Sequence, residues 1–313
     1  MVTLRDVARK AGVSPATVSL ALNNSNKVSK KTLKKVQEIA DNMNYIPDAR
    51  ARALACKKTG IIGLVIPDIK NPFYSELAQI IKNTAKKSQY NIILCGVESK
   101  EDELDYINMF RGMQVDGAIF TSGSYQGDPN ADLISDLAQN YIPVVYIDRT
   151  GNDNDIVPII KSNLQDAAYK AVEHLTKLGH RRIAYAGEEN GERTRGFLNA
   201  VKHFNLEVDE NNYFYNTLFF KDGYDLGERL IKRGNLPTGM VCHNDEVAMG
   251  LIQYLIKYGI KVPRDISVCG IDNIVLSHFY NPSLTTVDLP IEEMGEKAVE
   301  LLLKMIDGQK LSI

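Results

Sequence analysis

The sequence predicts an all-α helix-turn-helix head followed by an α/β body of two lobes built on parallel sheets. Two patterns carry this reading. The first forty-odd residues place apolar side chains at helical spacing in three short bursts, and from residue 60 onward short apolar runs alternate with longer amphipathic stretches. A third observation separates the two regions: residues 1–60 hold twelve Lys/Arg against four Asp/Glu, and the rest of the chain holds 25 against 35. A basic head on an acidic body points to a polyanion as partner of the first sixty residues. The 313 residues exceed one ordinary domain, and 44% hydrophobic with 24% charged residues excludes a collagenous, mucin-like or wholly disordered chain. No stretch approaches the roughly 18 consecutive apolar residues of a membrane span. The opening Met1-Val2-Thr3-Leu4-Arg5-Asp6 lacks the apolar run of a signal peptide, so the cytoplasm is the expected location.

In the head, Thr3 is placed to cap a helix whose Leu4, Val7, Ala8 and Ala11 share one face, with Asp6 as a capping-box partner. Gly12 ends that helix, and Ser14-Pro15 starts a second with a cap residue and a first-turn proline. Val18 and Leu22 are expected inward, leaving Pro15, Ala16, Ser19 and Leu20 outside. A third helix is expected from Ser29, burying Leu33, Val36, Ala40 and Met43. Two short helices joined through Ala11-Gly12-Val13 and braced by a third describe a helix-turn-helix, whose second helix enters the major groove.

The run Thr3-Leu4-Arg5-Asp6-Val7-Ala8-Arg9-Lys10-Ala11-Gly12-Val13-Ser14-Pro15-Ala16-Thr17-Val18-Ser19-Leu20-Ala21-Leu22-Asn23 closely resembles the DNA-binding head of the lactose-repressor/galactose-repressor (LacI/GalR) family of bacterial transcription regulators. The resemblance implies that Pro15, Ala16 and Leu20 read bases, while Thr3, Ser14, Thr17, Ser19, Asn23 and Ser29 contact phosphate or pack the head. Leu20 departs from the Arg of many members and cannot make its bidentate contact to guanine. After Tyr45-Ile46-Pro47, the segment Asp48-Ala49-Arg50-Ala51-Arg52-Ala53-Leu54-Ala55 is too short for a stable isolated helix and is expected to fold on DNA. In the family this is the hinge helix, paired across a dimer, and Leu54 matches the leucine that wedges into the minor groove. Asp48 stands where the family usually has Asn.

In the body, strands are expected at Ile61–Ile66, Asn91–Val97, Asp116–Thr121, Pro143–Ile147, Arg182–Ala186, Gly239–Cys242 and Ile266–Gly270. Ile156–Asn163 followed by a new helix suggests a second start, so two similar lobes are the preferred reading over one seven-stranded sheet. Neither a dinucleotide nor a P-loop phosphate fingerprint is present. The four cysteines, at 56, 95, 242 and 269, lack the spacing of a zinc site or a disulfide framework and read as buried thiols. Asn152-Asp153-Asn154-Asp155 lacks the Gly and Glu of a calcium loop, and His243-Asn244-Asp245-Glu246 reads as the start of a helix rather than a catalytic or metal site. No cofactor, metal or catalytic residue is expected.

Polar and aromatic residues gather beyond the carboxyl ends of these strands, where open α/β sheets bind ligands: Asp68, Asn71, Phe73 and Tyr74; Ser122 and Gly123; Asp148 and Arg149; Arg193; Asn244 and Asp245; Asp272. Ring faces with carboxylates, an amide and an Arg suit a sugar best, and a purine stacked between Phe73 and Tyr74 is the closest competitor. The body also resembles the family's effector domain, itself similar to periplasmic sugar-binding proteins, through Pro67-Asp68-Ile69-Lys70-Asn71-Pro72-Phe73-Tyr74, Gly179-His180-Arg181-Arg182-Ile183-Ala184, Arg193-Thr194-Arg195-Gly196-Phe197, Cys242-His243-Asn244-Asp245-Glu246-Val247-Ala248-Met249-Gly250 and Asp265-Ile266-Ser267-Val268-Cys269-Gly270-Ile271-Asp272-Asn273. That resemblance implies effector contacts from Phe73, Tyr74, Ser122 and Asp148 in one lobe and Arg193, Asn244 and Asp272 in the other. It also implies a closing strand after a helix like Ile291–Ile306, of which the sequence to Leu311-Ser312-Ile313 holds a short version.

The domain organisation expected is a head over residues 1–46, a hinge and linker over 47–60, and an effector-binding body over 61–313. Its first lobe takes about 61–161 plus about 289–306, and its second about 162–288. The function implied is that of a homodimeric, sequence-specific repressor whose affinity for double-stranded operator DNA is switched by a small molecule, most readily a sugar. A two-lobed solute-binding receptor and a sugar-modifying enzyme are the alternatives from other classes. Within regulation, a phosphoprotein corepressor of the catabolite-control type is the variant.

Overall fold

The computed structural model describes residues 2–22, 27–46, 58–121, 129–149, 157–207 and 209–309. The chain divides into two compact units, Met1–Gly60 and Ile61–Ile313.

In the first unit, α1 (Leu4–Ala11) is capped by Thr3, whose Oγ1 accepts from the Asp6 N–H at 3.3 Å while the Asp6 carboxylate accepts from the Thr3 N–H at 3.0 Å. Those bonds to Thr3 hold the Asp6 carboxyl below its usual range. Gly12 ends α1 in the left-handed region, φ 68°. α2 (Pro15–Leu22) follows Ser14, whose Oγ accepts from the Thr17 N–H, and α3 (Lys30–Asn42) follows Ser29, which caps it through the Thr32 N–H. The core is made of Val7, Ala8, Ala11, Val18, Ala21, Val36 and Ala40, all small, which lets three short helices approach closely. Leu22, Leu4 and Met43, expected inside, pack at its rim instead, and Leu33 is half-buried. Residues this short on apolar volume fill their centre with alanines, so Ala21 takes the place foreseen for Leu22. The hinge Asp48–Ala55, with Leu54, and Asn23 lie outside the described residues.

In the second unit, β1 (Ile61–Ile66), β2 (Asn91–Gly96), β3 (Gly117–Thr121), β4 (Val144–Ile147) and β5 (Ile159–Ile160) form a parallel sheet in the order β2-β1-β3-β4-β5. Its helices are α4 (Pro72–Lys87), α5 (Lys100–Met113) and α6 (Ala131–Asn140). Alternate strand residues face opposite ways, as the two-residue period of a strand requires. Ile62, Leu64, Ile119 and Val145 lie on one face, and Val65, Ala118, Phe120 and Val144 on the other, against Phe110 of α5 and Ile134 of α6. Within the segment Ile156–Asn163, read as suggesting a second start, Ile159–Ile160 forms β5, which pairs with β4 and closes this first sheet. The described part is only two strand residues long, too brief to start a sheet of its own.

The chain then enters a second parallel sheet, β6 (Ile183–Gly187), β7 (Tyr213–Tyr215), β8 (Gly239–Cys242), β9 (Ser267–Asp272) and β10 (Thr285–Asp288), in the order β10-β9-β8-β6-β7. Its helices are α7 (Leu164–Lys177), α8 (Glu192–His203), α9 (Phe220–Arg233), α10 (Asp245–Lys257) and the short α11 (Val275–Phe279). β7 and β10 were not foreseen; they are edge strands, β7 a run of only three residues and β10 four residues with Val287 as the one aliphatic side chain. α9 and α10 meet backbone to backbone. A Cβ on Gly250 would lie 2.0 Å from the Phe220 carbonyl oxygen, and one on Gly223 2.1 Å from that of Val247, so both contacts require glycine. Finally α12 (Ile291–Ile306) returns to the first sheet and covers its apolar face with Met294, Ala298, Val299 and Leu302.

In each sheet the strand order reverses once, between β1 and β3 and between β6 and β8. Connections leaving a reversal point diverge to opposite faces and open a crevice at the carboxyl ends, where ligands bind in such sheets.

Candidate functional site

The head presents an exposed face on α2: Pro15, Ala16 and Leu20 are exposed and Ser19 is half-buried, with Leu20 38% accessible. Thr3, Ser14 and Ser29 hold helix starts through their side-chain oxygens, and the Thr17 hydroxyl lies 2.8 Å from that of Ser14. These residues fix the orientation of α2 and leave its outer side free of competing contacts.

In the body, a cavity of about 780 Å³ opens beyond the strand ends of both sheets. Of the foreseen residues, Phe73, Tyr74, Asp148, Arg193, Asn244 and Asp272 all line it, together with Asp68 and Asn71, while Ser122 lies outside the described residues. Asn71 caps α4 by accepting from the Phe73 N–H at 2.9 Å, which sets Phe73 and Tyr74 in the first turn, over the crevice. The two rings meet edge to face, 5.2 Å between centroids and 88° between planes. A purine therefore has no slot between them: they touch each other, and Phe73 is 8% accessible, packed among apolar residues of the second lobe. Burial pushes the Tyr74 hydroxyl far up, keeping it a neutral donor.

The two foreseen aspartates share an unusual backbone. Asp148 follows β4 with φ 50°, and Asp272 ends β9 with φ 121°, a conformation costly for a residue with a Cβ. Strain of this kind persists where surrounding contacts over-determine the position. Asp148 accepts from the Ser162 N–H and the Ser162 hydroxyl, both at 2.6 Å, yet burial keeps its carboxyl above the ordinary range. Asp272 is pushed up to about 8 by burial, against the opposing pull of Arg193, whose Nη2 lies 3.4 Å away. Burial disfavours the Arg193 charge, but Asp272 and Glu188 hold it above its ordinary value, and its Nε has no hydrogen-bond partner among the described residues.

Three foreseen groupings change. Asn244 spends its amide on the fold: Oδ1 accepts from the Val247 N–H to cap α10, and Nδ2 donates to the Leu218 carbonyl. Arg149, grouped with Asp148, turns to the opposite face, where Nη1 lies 2.5 Å and Nη2 3.1 Å from the carboxylate of Glu103. The pair is 3% and 1% accessible, and the Asn130 amide also donates to Glu103. Asp245 lies beneath the cavity, accepting from the Ile274 N–H and the Thr286 hydroxyl, and burial pushes its carboxyl up to about 7.

Sequence reasoning passed over His243, Lys161, Glu188, Glu189, Asn216 and Phe219, which also line the cavity. Glu188 and Asn216 each follow a strand, so the carboxyl-end rule reaches them once β7 is known. His243 was read only as a flank of the α10 start. Burial and the nearby Arg193 push its imidazole well below its usual range, so it is neutral, and its Nδ1 has no partner among the described residues.

Residues 3–48 match the profile of bacterial regulatory proteins of the lacI family, and residues 172–312 that of the periplasmic binding protein-like domain. Catabolite control protein A of Priestia megaterium is 36% identical over 98% of this chain and 93% of its own length. The chain belongs to the LacI family. The HTH-type transcriptional repressor PurR of Mannheimia succiniciproducens is 32% identical over 98% of this chain and 92% of its own. The Lac repressor dimer bound to operator and the anti-inducer ONPF superposes with a TM-score of 0.86 at 28% identity, covering 99% of this chain and 94% of that one. This LacI-family chain is thus a DNA-binding transcriptional regulator with a helix-turn-helix head and a two-lobed, periplasmic-binding-protein-like ligand domain. No helix among the described residues is long and apolar enough to cross a membrane.

Proposed function

We propose that this LacI-family regulator is a cytoplasmic homodimeric repressor whose affinity for a near-palindromic operator is switched by a sugar held in the cleft, without chemical turnover. Pro15, Ala16 and Leu20 read the operator bases. Thr3, Ser14, Thr17, Ser19, Asn23 and Ser29 position the head, and Leu54 wedges into the minor groove at the operator centre. The observation that carries the switch is the division of the cavity lining: Tyr74 and Asp148 come from the first lobe, Arg193 and Asp272 from the second. A ligand touching both sides favours one lobe arrangement, and it changes DNA affinity as far as it binds the two arrangements unequally.

The test is a thermal-shift screen of sugars on the full chain, followed by operator titration with and without each hit. By linkage, operator must change sugar affinity by the factor by which sugar changes operator affinity. A sugar that binds tightly and leaves operator affinity unchanged breaks the proposal. The similarity to a catabolite control protein favours one second reading, in which a phosphoprotein acts as corepressor. It is supported if operator affinity rises only when a phosphorylated partner protein is added.

A further inference from the structure

The cavity lining is short of positive charge. Six carboxyl groups face it, those of Asp68, Asp148, Glu188, Glu189, Glu192 and Asp272, the last largely protonated at neutral pH because burial holds it at about 8, against three cations, Lys161, Arg193 and Arg195. All three cations are already engaged. Lys161 Nζ and Arg195 Nη2 lie 3.9 and 4.0 Å from the same Glu192 oxygen, and Arg193 faces Asp272. Asp68, Glu188 and Glu189 have no ion pair among the described residues. His243 adds no charge at neutral pH.

An anionic ligand would need a forked Arg or an open helix N-terminus to receive it. Two of the helices that begin at this cavity already have their first turns capped, and a third opens on a carboxylate. The first turns of α4 and α10 are occupied by the amide oxygens of Asn71 and Asn244, and the first residue of α8 is Glu192, whose carboxylate faces Lys161 and Arg195 and repels a second anion there.

Resting on the sugar reading of the cleft, we infer that the effector is a cationic sugar, of the amino-sugar class, and that phosphorylated sugars and nucleotides are rejected. Its hydroxyls pair with the polar lining, and its ammonium supplies the positive charge that the carboxylates lack. The raised carboxyls of Asp272 and Asp148 agree, since a cation nearby would restore their ordinary acidity. Glu188 and Glu189, outside the residues assigned to hold the sugar ring, set this charge preference.

The experiment is calorimetry and thermal shift on the full chain at neutral pH with two matched series: glucose, glucosamine and glucose 6-phosphate, and galactose, galactosamine and galactose 6-phosphate. The expected order in the series that binds is amino, then neutral, then phosphorylated. The double variant Glu188→Gln/Glu189→Gln should cut the preference for amino over neutral sugar by about five-fold, the effect of two unit charges acting through partly hydrated space. Operator affinity without ligand should stay as it is. A phosphorylated sugar that binds better than its amino counterpart, or equal binding of amino and neutral forms, overturns the inference and leaves the sugar reading standing. If neither series shifts the melting curve, the sugar reading fails and the inference falls with it.

Discussion

Head and body place their working residues on opposite sides of their cores. In the head, seven Val and Ala side chains are buried, and the residues assigned to DNA stand outside on α2. In the body, Arg193, Asn244 and Asp272 are buried or nearly so, at the meeting of two sheets whose cores lie on both faces. The charge follows the same division, with a basic surface in one unit and an acid-lined cavity in the other. A surface that reads DNA needs only a scaffold of correct helix angles, whereas a ligand cleft needs side chains from distant strands brought to one point. The first tolerates a minimal core; the second depends on the whole topology.

The sharpest way to break this comparison is to separate the units. A fragment beginning at Thr59 should keep its ligand affinity and lose specific operator affinity by at least about a thousand-fold, the gap between specific and non-specific binding. The intact chain's affinity should fall steeply with added salt as counterions are released. Anisotropy titrations at two salt concentrations check both, and equal operator affinity of the two chains would place DNA binding in the body.

Next in size is the buried pair beneath the first sheet. Glu103→Ala should lower the unfolding free energy of the body by about 3–5 kcal/mol, because it removes the carboxylate that faces the buried Arg149 guanidinium. Denaturant melts of the body read this directly. A loss below 1 kcal/mol would show the site to be hydrated. Within the cavity, Arg193→Ala should weaken ligand binding by about 1–3 kcal/mol through lost hydrogen bonds, while operator binding without ligand survives.

Protonation offers a finer test. Asp272 has an ordinary pKa of 3.8 and stands at about 8 in the fold, so the folded state holds its proton more tightly than the unfolded one. Its contribution is fully present below about pH 4 and is lost as pH rises through about 8. Wild-type stability should therefore fall more between pH 5 and pH 9 than that of Asp272→Asn, and parallel denaturation midpoints across that window would contradict the burial of this carboxyl. The smallest stability effect belongs to the head's outer face. Leu20→Arg should change stability by less than about 0.5 kcal/mol, as exposed substitutions do. It should nevertheless shift operator preference towards guanine, which selection from a randomised operator pool would display.

The same division explains what could be read from sequence. The head's three helices carry caps and a 3.6-residue repeat, local signals that need no partner, and Thr3, Gly12, Ser14 and Ser29 act where those signals placed them. The central strands of the body were equally visible as apolar runs. Edge strands β7 and β10 were not, because Tyr213-Phe214-Tyr215 is only three residues long and Thr285–Asp288 holds one aliphatic residue, and β5 was not foreseen as a strand because its two residues show as one only through their pairing with β4. In the cleft, strand-end position identified Asp148, Arg193 and Asp272 but could not tell which way a neighbour points. Asp148 faces the cavity and Arg149 the opposite core, a difference set by a left-handed backbone turn at Asp148.

The return of α12 to the first sheet has a consequence for how the chain is made. Ile62, Leu64, Ile66, Ile119, Val145 and Ile147 are all translated within the first half of the chain, as is α4, which covers part of their face, but α12, which completes the cover, is finished only at Ile306. On the ribosome, the second lobe emerges as an uninterrupted segment and can close first, leaving this greasy sheet face waiting for its cover. A released chain that ends before Ile291 would therefore hold a complete second lobe attached to a sticky, unfinished first one, a natural client for chaperones and proteases.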